Sequence, residues 1–134
     1  MILVDAGPLV AIIDADDQHH SRCAKAIQQI REPLGTVLPA VTEAMYLLMD
    51  LPRGQEALLQ MLERGAIHLL PIGLNDIPRI KDLMRKYRDR PMDFADAALI
   101  RIAERENIRK IFTVDRTDFA VYRINNRTRP TMIP

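Results

Sequence analysis

Short apolar runs that end at turn-forming or acidic residues are the sequence feature that most limits the fold of this chain. The clearest is Ile2-Leu3-Val4, which stops at Asp5 and is followed by Gly7 and Pro8. An apolar run this short, bounded by turn residues, predicts a buried strand. The same pattern predicts later strands over residues 36–38, 66–72 and 110–114. The tail, 122–134, shows too little pattern to assign more than one edge strand.

Segments with helical periodicity separate these runs. We predict helices over residues 9–13, 19–30, 39–49, 55–64, 75–87 and 93–106. Pro8 and Pro39 suit the first turn of a helix, and Gly65 is placed to end one. Strands that alternate with helices indicate βαβ units and a parallel sheet. The predicted fold class is therefore α/β, a three-layer α/β/α sandwich with a central, mainly parallel sheet of four to five strands.

Length and composition narrow the class of protein. The 134 residues fit one domain, 1–134, and 48% hydrophobic residues exclude a wholly disordered chain. No apolar stretch approaches the ~20 residues that a membrane span needs, so we expect no membrane association. The single cysteine, Cys23, and the lack of a signal peptide favour a cytoplasmic protein. Neither glycine-rich phosphate motif occurs, which argues against a nucleotide-binding Rossmann domain.

Carboxylates from distant parts of the chain are predicted to meet at one edge of the sheet. Asp5 and Asp115 end the first and fourth strands, and Glu43 lies early in the helix after the second. Asp93 and Asp96 open the helix that precedes the fourth strand. Ligands of open α/β sheets bind beyond the carboxyl ends of the strands, which is where all five side chains would lie. Two carboxylates ~4 Å apart repel by roughly 4 kcal/mol at an effective dielectric of ~20. Some must therefore be protonated, or a cation is bound.

An all-oxygen ligand set suits Mg²⁺, Mn²⁺ or Ca²⁺. Such an ion can activate a water and stabilise charge on a phosphoryl oxygen, so metal-assisted hydrolysis of a phosphodiester is the chemistry that fits best. Each acid alone also has a structural explanation, for example Asp93 as a helix N-cap. Glu43 is harder to explain, because its helix is otherwise apolar. The hypothesis depends on the joint placement of the acids.

Four segments of the sequence resemble motifs of the PIN domain family, specifically the small VapC-like toxins of type II toxin–antitoxin systems. They are LVDAGPLV (3–10), TEA (42–44), PMDFADAALI (91–100) and IFTVDRTDF (111–119). The resemblance implies a Mg²⁺- or Mn²⁺-dependent endoribonuclease. It also implies an RNA substrate, a homodimer, and a cognate antitoxin protein that holds the enzyme inactive.

The family's acidic quartet maps onto four residues of this chain, as metal-binding or catalytic groups: Asp5, Glu43, Asp96 and Asp115. On the same resemblance Asp93 is an accessory metal ligand or a cap, and Asp118 a structural or outer residue. Thr113 is placed to orient Asp115 or a bound water. Arg116, next to Asp115, is the best single candidate for a contact with an RNA phosphate.

The chain departs from the family pattern at one place, and two alternative functions stay open. Many family members carry Thr or Ser shortly after the first Asp, where this chain has Ala6 and Gly7, so a backbone N–H or a water must replace a hydroxyl contact. One alternative is a catalytically silent PIN-like module that binds RNA or protein. The other is a phosphatase or another hydrolase on a similar sheet, although a haloacid-dehalogenase-like site would need a second Asp where Gly7 stands.

Two groups of residues suggest binding surfaces. Eight basic residues in the last third either attract an RNA backbone or form a solvated helix face: Arg101, Arg105, Arg109, Lys110, Arg116, Arg123, Arg127 and Arg129. Arg101 can pair with Glu104, but the stripe formed with Arg105 and Arg109 is not explained by such pairs. Two consecutive helices carry more apolar surface than one sheet face covers, so we expect part of it to bind a dimer mate or an antitoxin helix: Met45, Leu48, Met49, Leu58, Leu59, Met61 and Leu62.

Overall fold

The first strand of the chain forms the centre of its sheet. The computed structural model describes all residues, 1–134, and every strand pairing in it is parallel. The strand order is β3-β2-β1-β4-β5, where the strands are β1 (Ile2–Val4), β2 (Leu34–Thr36), β3 (His68–Leu69), β4 (Lys110–Phe112) and β5 (Thr131–Ile133). Leu3 pairs with Gly35 on one side and with Ile111 on the other. The predicted α/β fold with a parallel sheet is confirmed.

Seven α-helices surround this sheet. They are α1 (Ala6–Ile13), α2 (His20–Gln29), α3 (Leu38–Leu47), α4 (Gly54–Glu63), α5 (Ile77–Lys86), α6 (Phe94–Glu106) and α7 (Arg116–Phe119). A single 3₁₀ turn, Leu74–Asp76, leads into α5. The first six correspond to the predicted helices, whereas the short α7 was not predicted. No helix has both the length and the apolar character needed to cross a bilayer.

Alternation along β1 divides the hydrophobic core between the two faces of the sheet. Ile2 and Val4 pack with residues of α1, α2 and α4, while Leu3 packs with residues of α5 and α6. Successive side chains of a strand point to opposite faces, so each face of the sheet buries its own core. The helix α3 contributes to both, through Ala40 on one side and Val41 on the other. These are the three layers that the sequence predicted.

Two strands differ from the predicted ones. The second covers Leu34–Thr36 instead of 36–38, because Pro39 takes the second position of α3 and the helix therefore begins at Leu38. The third is only His68–Leu69 instead of 66–72, since Pro71 has no N–H to continue the ladder.

The first helix and the fourth strand also differ in their bounds. The helix α1 begins at Ala6, three residues before the predicted start, because the Asp5 carboxylate caps it and Pro8 is tolerated in its first turn. The strand β4 ends at Phe112, before the predicted Val114, and the chain turns there toward α7.

A buried carboxylate explains most of the basic stripe on α6. Asp76 accepts hydrogen bonds from Arg101 at 2.9 Å and from Arg105 at 2.8 Å, and from the Gly73 N–H at 2.8 Å. The Gly73 N–H and the two guanidinium groups hold the pKa of Asp76 below its ordinary value. The predicted pair between Arg101 and Glu104 does not form. Two of the eight basic residues thus fasten the turn before α5 to α6, and they are not free to bind RNA.

We expect Asp76→Ala to lower the free energy of unfolding by about 3 kcal/mol, because it removes the buried carboxylate that two partly buried guanidinium groups share. Chemical denaturation measures this change. Asp89→Ala is the matched control, since Asp89 is exposed and makes no hydrogen bond or ion pair, and its effect should stay within about 0.5 kcal/mol. Equal effects of the two substitutions would contradict the role assigned to Asp76.

Candidate active site

A pocket of about 250 Å³ opens at the carboxyl edge of the sheet, and its polar lining is entirely acidic. Six carboxylates line it: Asp5, Glu43, Asp93, Asp96, Asp115 and Asp118. No lysine or arginine is part of the lining, and the nearest ion pair joins Arg90 to Asp118 at 3.6 Å. The structure therefore brings together all the acids that the sequence singled out.

Asp5 is held at the junction of the central strand and the first helix. Its backbone N–H donates to the Phe112 carbonyl of β4, and its Oδ1 accepts from the Ala6 N–H at 2.8 Å. Its Oδ2 accepts from the hydroxyl of Thr113 at 3.0 Å. Burial raises the pKa of Asp5 to about 6, although both hydrogen bonds oppose the shift.

Thr113 links Asp5 to Asp115. Its hydroxyl donates to the Asp5 carboxylate and accepts the backbone N–H of Asp115 at 3.0 Å. Asp115 in turn caps α7, with its Oδ1 accepting the Asp118 N–H at 3.3 Å. Burial raises the pKa of Asp115, and the neighbouring Asp118 side chain adds to the rise. The hydroxyl of Thr113 thus contacts the carboxylate of Asp5 and the backbone of Asp115.

Asp93 and Asp96 form the start of α6. Asp93 is the N-cap, and its Oδ1 accepts the N–H of Asp96 at 2.8 Å. Asp96 is buried, and its Oδ2 accepts a hydrogen bond from the hydroxyl of Tyr122 at 3.1 Å. Burial raises the pKa of Asp96 to about 8, and the charges of Asp5 and Asp93 contribute to the rise.

Tyr122 is the site residue that the sequence did not reveal. Its ring is fully buried and packs edge-on against Tyr87 and Phe119, with 5.1 Å between ring centroids in each case. It lies in the tail, 122–134, where no regular pattern marks a core position. The one available signal was that the chain has only six aromatic residues. Three of them pack together beside the pocket.

Glu43 lies on the pocket wall and not in the core. It is exposed, while Val41 and Ala44 of the same helix are buried. Partial burial and the nearby charge of Asp93 raise the pKa of Glu43. An acid within this apolar helix is therefore accommodated because it faces the pocket.

Gly7 is required by a close approach at the pocket wall. A Cβ atom on Gly7 would lie 2.5 Å from Cγ2 of Val114, and both residues line the pocket. A residue with a hydroxyl-bearing side chain would collide there. The Ala6 N–H donates to Asp5 instead, which is one of the two replacements predicted from the sequence.

The donor set of the pocket fits a hard divalent cation. Asp93 and Asp96 each use one carboxylate oxygen in a protein hydrogen bond, and the other oxygen accepts none. No buried side-chain nitrogen or oxygen lacks a partner, so the second oxygen of Asp96 reaches solvent in the pocket. No three acidic, histidine or cysteine side chains are close enough to enclose an ion without rearrangement. The argument for a cation therefore depends on the chemistry of the ligands, since carboxylate oxygens suit Mg²⁺ or Mn²⁺.

The basic residues near this edge make other contacts. Arg116 donates to the Pro134 carbonyl, and Arg123 donates to the carbonyls of residues 120–122. Lys110 pairs with Glu32 at the start of β4, at the opposite edge of the sheet. Arg116 nevertheless follows Asp115 directly and is exposed beside the pocket.

Comparisons with known proteins agree on one family. The family model described as the PIN domain matches residues 2–124. Ribonuclease VapC26 of Mycobacterium tuberculosis (strain ATCC 25618 / H37Rv) is 30% identical over 136 residues, which cover 99% of this chain and 100% of that protein.

Solved structures share the fold at lower sequence identity. Mycobacterium tuberculosis VapC20, described as a sarcin-ricin loop cleaving toxin, superposes with a TM-score of 0.81 at 15% identity, over 87% of this chain and 92% of that chain. A toxin–antitoxin complex from Klebsiella pneumoniae superposes with a TM-score of 0.73 at 15% identity, over 100% and 97%.

The raised pKa of Asp96 makes stability depend on pH. The folded state holds this proton more tightly than the unfolded state, so without a divalent cation stability should fall as pH rises from about 4 to about 8. Asp96→Asn keeps an acceptor for Tyr122 but removes the charge. We expect the variant to be more stable than the parent near pH 8, by at least about 1.4 kcal/mol, the equivalent of one pKa unit.

Thermal denaturation in the presence of a chelator, repeated across this pH range, measures the difference. The difference should shrink as the pH falls and approach zero only below about pH 3, where Asp96 is protonated in both states. Asp50→Asn, at an exposed position outside the pocket, should show no such trend. A stability difference for Asp96→Asn that does not change with pH would show that ionisation of Asp96 does not destabilise the folded protein.

Proposed function

The chain belongs to the PIN domain family, in which it is of the VapC type, and on this premise we propose that it is a Mg²⁺- or Mn²⁺-dependent endoribonuclease. The observation that carries the proposal is the pocket lined by six carboxylates and no basic residue. Such a pocket repels an RNA backbone unless a cation lies between them. We propose Asp5, Glu43, Asp96 and Asp115 as the residues that hold the cation, with Asp93 as an accessory ligand.

A bound metal ion would lower the pKa of a water, which makes that water a better nucleophile, and would stabilise charge on the phosphoryl oxygens. The chain supplies the arrangement of its ligands. The Ala6 N–H and the Thr113 hydroxyl fix the carboxylate of Asp5, and Thr113 also fixes the backbone of Asp115. Without a cation, Asp96 keeps its proton near neutral pH. Binding a cation must therefore release a proton, and the affinity should increase with pH.

RNA would be recognised mainly through its backbone and shape. The chain has six aromatic residues, and three of them are packed beside the pocket, so few remain for stacking on bases. We propose that Arg116 contacts a phosphate, because it is exposed and adjacent to Asp115. Arg90 is a second candidate, since its exposed ion pair with Asp118 is weak enough to exchange for a phosphate.

We further propose that the protein is the toxin of a toxin–antitoxin pair and forms a homodimer. The apolar residues of α4 and of the turn that follows α3 divide as expected, with Leu48 and Leu58 in the core and Met49 and Leu59 exposed. Tyr46 and Leu47 extend the exposed group, and we assign these four to the antitoxin as its binding surface: Tyr46, Leu47, Met49 and Leu59. The similarity to a toxin–antitoxin complex supports such a partner.

A second apolar surface lies on the other side of the acidic pocket. Its exposed residues are Leu38, Leu69, Ile77 and Phe94, which line one groove. This groove continues past Leu38 and Phe94 to Glu43 and Asp93. A two-fold pair of chains joined here would present the same patch to each other. We propose this groove as the dimer interface.

Asp5→Asn should lower the rate of RNA cleavage by about two orders of magnitude or more, because the substituted side chain no longer supplies a charged ligand. Purified protein is incubated with tRNA, rRNA and mRNA, with and without Mg²⁺ or Mn²⁺, and the fragments are separated on a gel. Asp16→Asn, at an exposed loop position that is not part of the pocket lining, is the control and should cleave at the parental rate.

Cleavage by Asp5→Asn at the parental rate would refute the proposed site. A parental protein that neither cuts these RNAs nor binds millimolar Mn²⁺ in calorimetry would favour the alternative function, a silent PIN module that binds RNA or protein. Circular dichroism of each variant establishes that the fold is kept.

Ile77→Glu should weaken the dimer at least tenfold, because it places a charge in an apolar interface at a cost above about 1.4 kcal/mol. Sedimentation velocity over a range of protein concentrations measures the dissociation constant. Leu59→Glu makes the same kind of change on the antitoxin surface, so it should leave the dimer intact. If Leu59→Glu weakened the dimer and Ile77→Glu did not, the surface around Leu59 would be the dimer interface and the groove would be the antitoxin surface.

A further inference from the structure

We propose that Tyr122 is a positioning residue of the candidate site. Its hydroxyl holds one oxygen of Asp96, so that the other oxygen is presented to a bound divalent cation. This inference rests on the proposed metal-dependent function and extends it to a residue outside the acidic quartet.

The hydrogen bond from Tyr122 gives the two carboxylate oxygens of Asp96 different roles. Tyr122 donates to Oδ2 at 3.1 Å, and both side chains are buried. Oδ1 accepts no hydrogen bond from the protein, yet no buried polar side-chain atom lacks a partner, so Oδ1 is the oxygen that reaches the pocket. A cation in the pocket would therefore meet an Asp96 whose rotation is already restricted.

The packing of the Tyr122 ring fixes the position of its hydroxyl. The ring lies between Tyr87 and Phe119, at interplanar angles of 65° and 75°, and none of it is exposed. Edge-to-face aromatic pairs of this kind are favourable beyond the area that they bury. The hydroxyl is consequently held in place by the core, and Asp96 loses little additional freedom when it binds a ligand.

The other buried acid of the pocket has an equivalent partner. The hydroxyl of Thr113 donates to Asp5 at 3.0 Å, as that of Tyr122 does to Asp96. Carboxylates that bind metals are commonly oriented by such donors, and loss of a donor typically costs ~10–100-fold in metal affinity or activity. The two buried acids, which lie far apart in the sequence, are thus oriented by two neutral hydroxyl groups.

Calorimetric titration of the purified protein with Mn²⁺ tests the role of Tyr122. We expect Tyr122→Phe to raise the dissociation constant for Mn²⁺ about 10–100-fold, because the ring packing is kept while the donor to Asp96 is lost. The increase in melting temperature at saturating Mn²⁺ is a second measurement. It should be smaller for the variant than for the parent, whatever the starting stability of each protein.

Tyr87→Phe is the matched control. It removes a hydroxyl from the same aromatic cluster, but that hydroxyl accepts the backbone N–H of Arg123 at 3.0 Å and makes no contact with a carboxylate. Its Mn²⁺ affinity should equal that of the parent. Tyr122→Phe with a lower melting temperature and parental Mn²⁺ affinity would overturn the proposal, because Tyr122 would then act only in packing. A parental protein that does not bind Mn²⁺ would instead overturn the metal-dependent function itself.

Discussion

Burial of carboxylates that lie close together at one edge of the sheet is the constraint to which the rest of the structure responds. Parallel strands direct their carboxyl ends to the same edge, so Asp5 and Asp115 meet there although 110 positions separate them. Two of the pocket acids are buried, and their pKa values rise to about 6 and about 8. The fold offsets this cost with ordinary local bonds: helix caps, two hydroxyl donors and backbone N–H groups. The same bonds orient the acids. The contacts that offset the cost of burying the carboxylates therefore also prepare the pocket to bind a cation.

Local patterns were enough to predict the architecture and the acidic lining of the pocket. The run Ile2–Val4 and the helix that begins at Phe94 follow directly from apolar spacing and from the acids that flank them. The bounds of strands and helices were less accurate where proline or a cap decided the outcome, as at Pro39 and Asp5. Such decisions depend on a single hydrogen bond, which periodicity does not reveal.

Contacts between distant residues could not be predicted. Asp76 lies in an unremarkable polar turn, and only the tertiary structure places it between Arg101 and Arg105. Those arginines appeared to be an unpaired basic stripe, because only neighbours on the same helix can be judged from sequence. Tyr122 was missed for the same reason, since its partner Asp96 is 26 residues away. The net charge of +1 thus hides both an acidic pocket and basic residues that are engaged elsewhere.

Because β1 is the central strand, the pocket can form only late in the synthesis of the chain. The first strand to be synthesised can pair with β2 early, but its pairing with β4 must wait until Ile111 has been made, and Asp5 waits for Thr113. Asp96 likewise waits for Tyr122. A nascent chain therefore carries scattered acids and no assembled pocket until nearly all of it has left the ribosome. Contacts so far apart in sequence also slow folding. The order of synthesis thus leaves an interval in which other proteins can meet the chain before the site is complete.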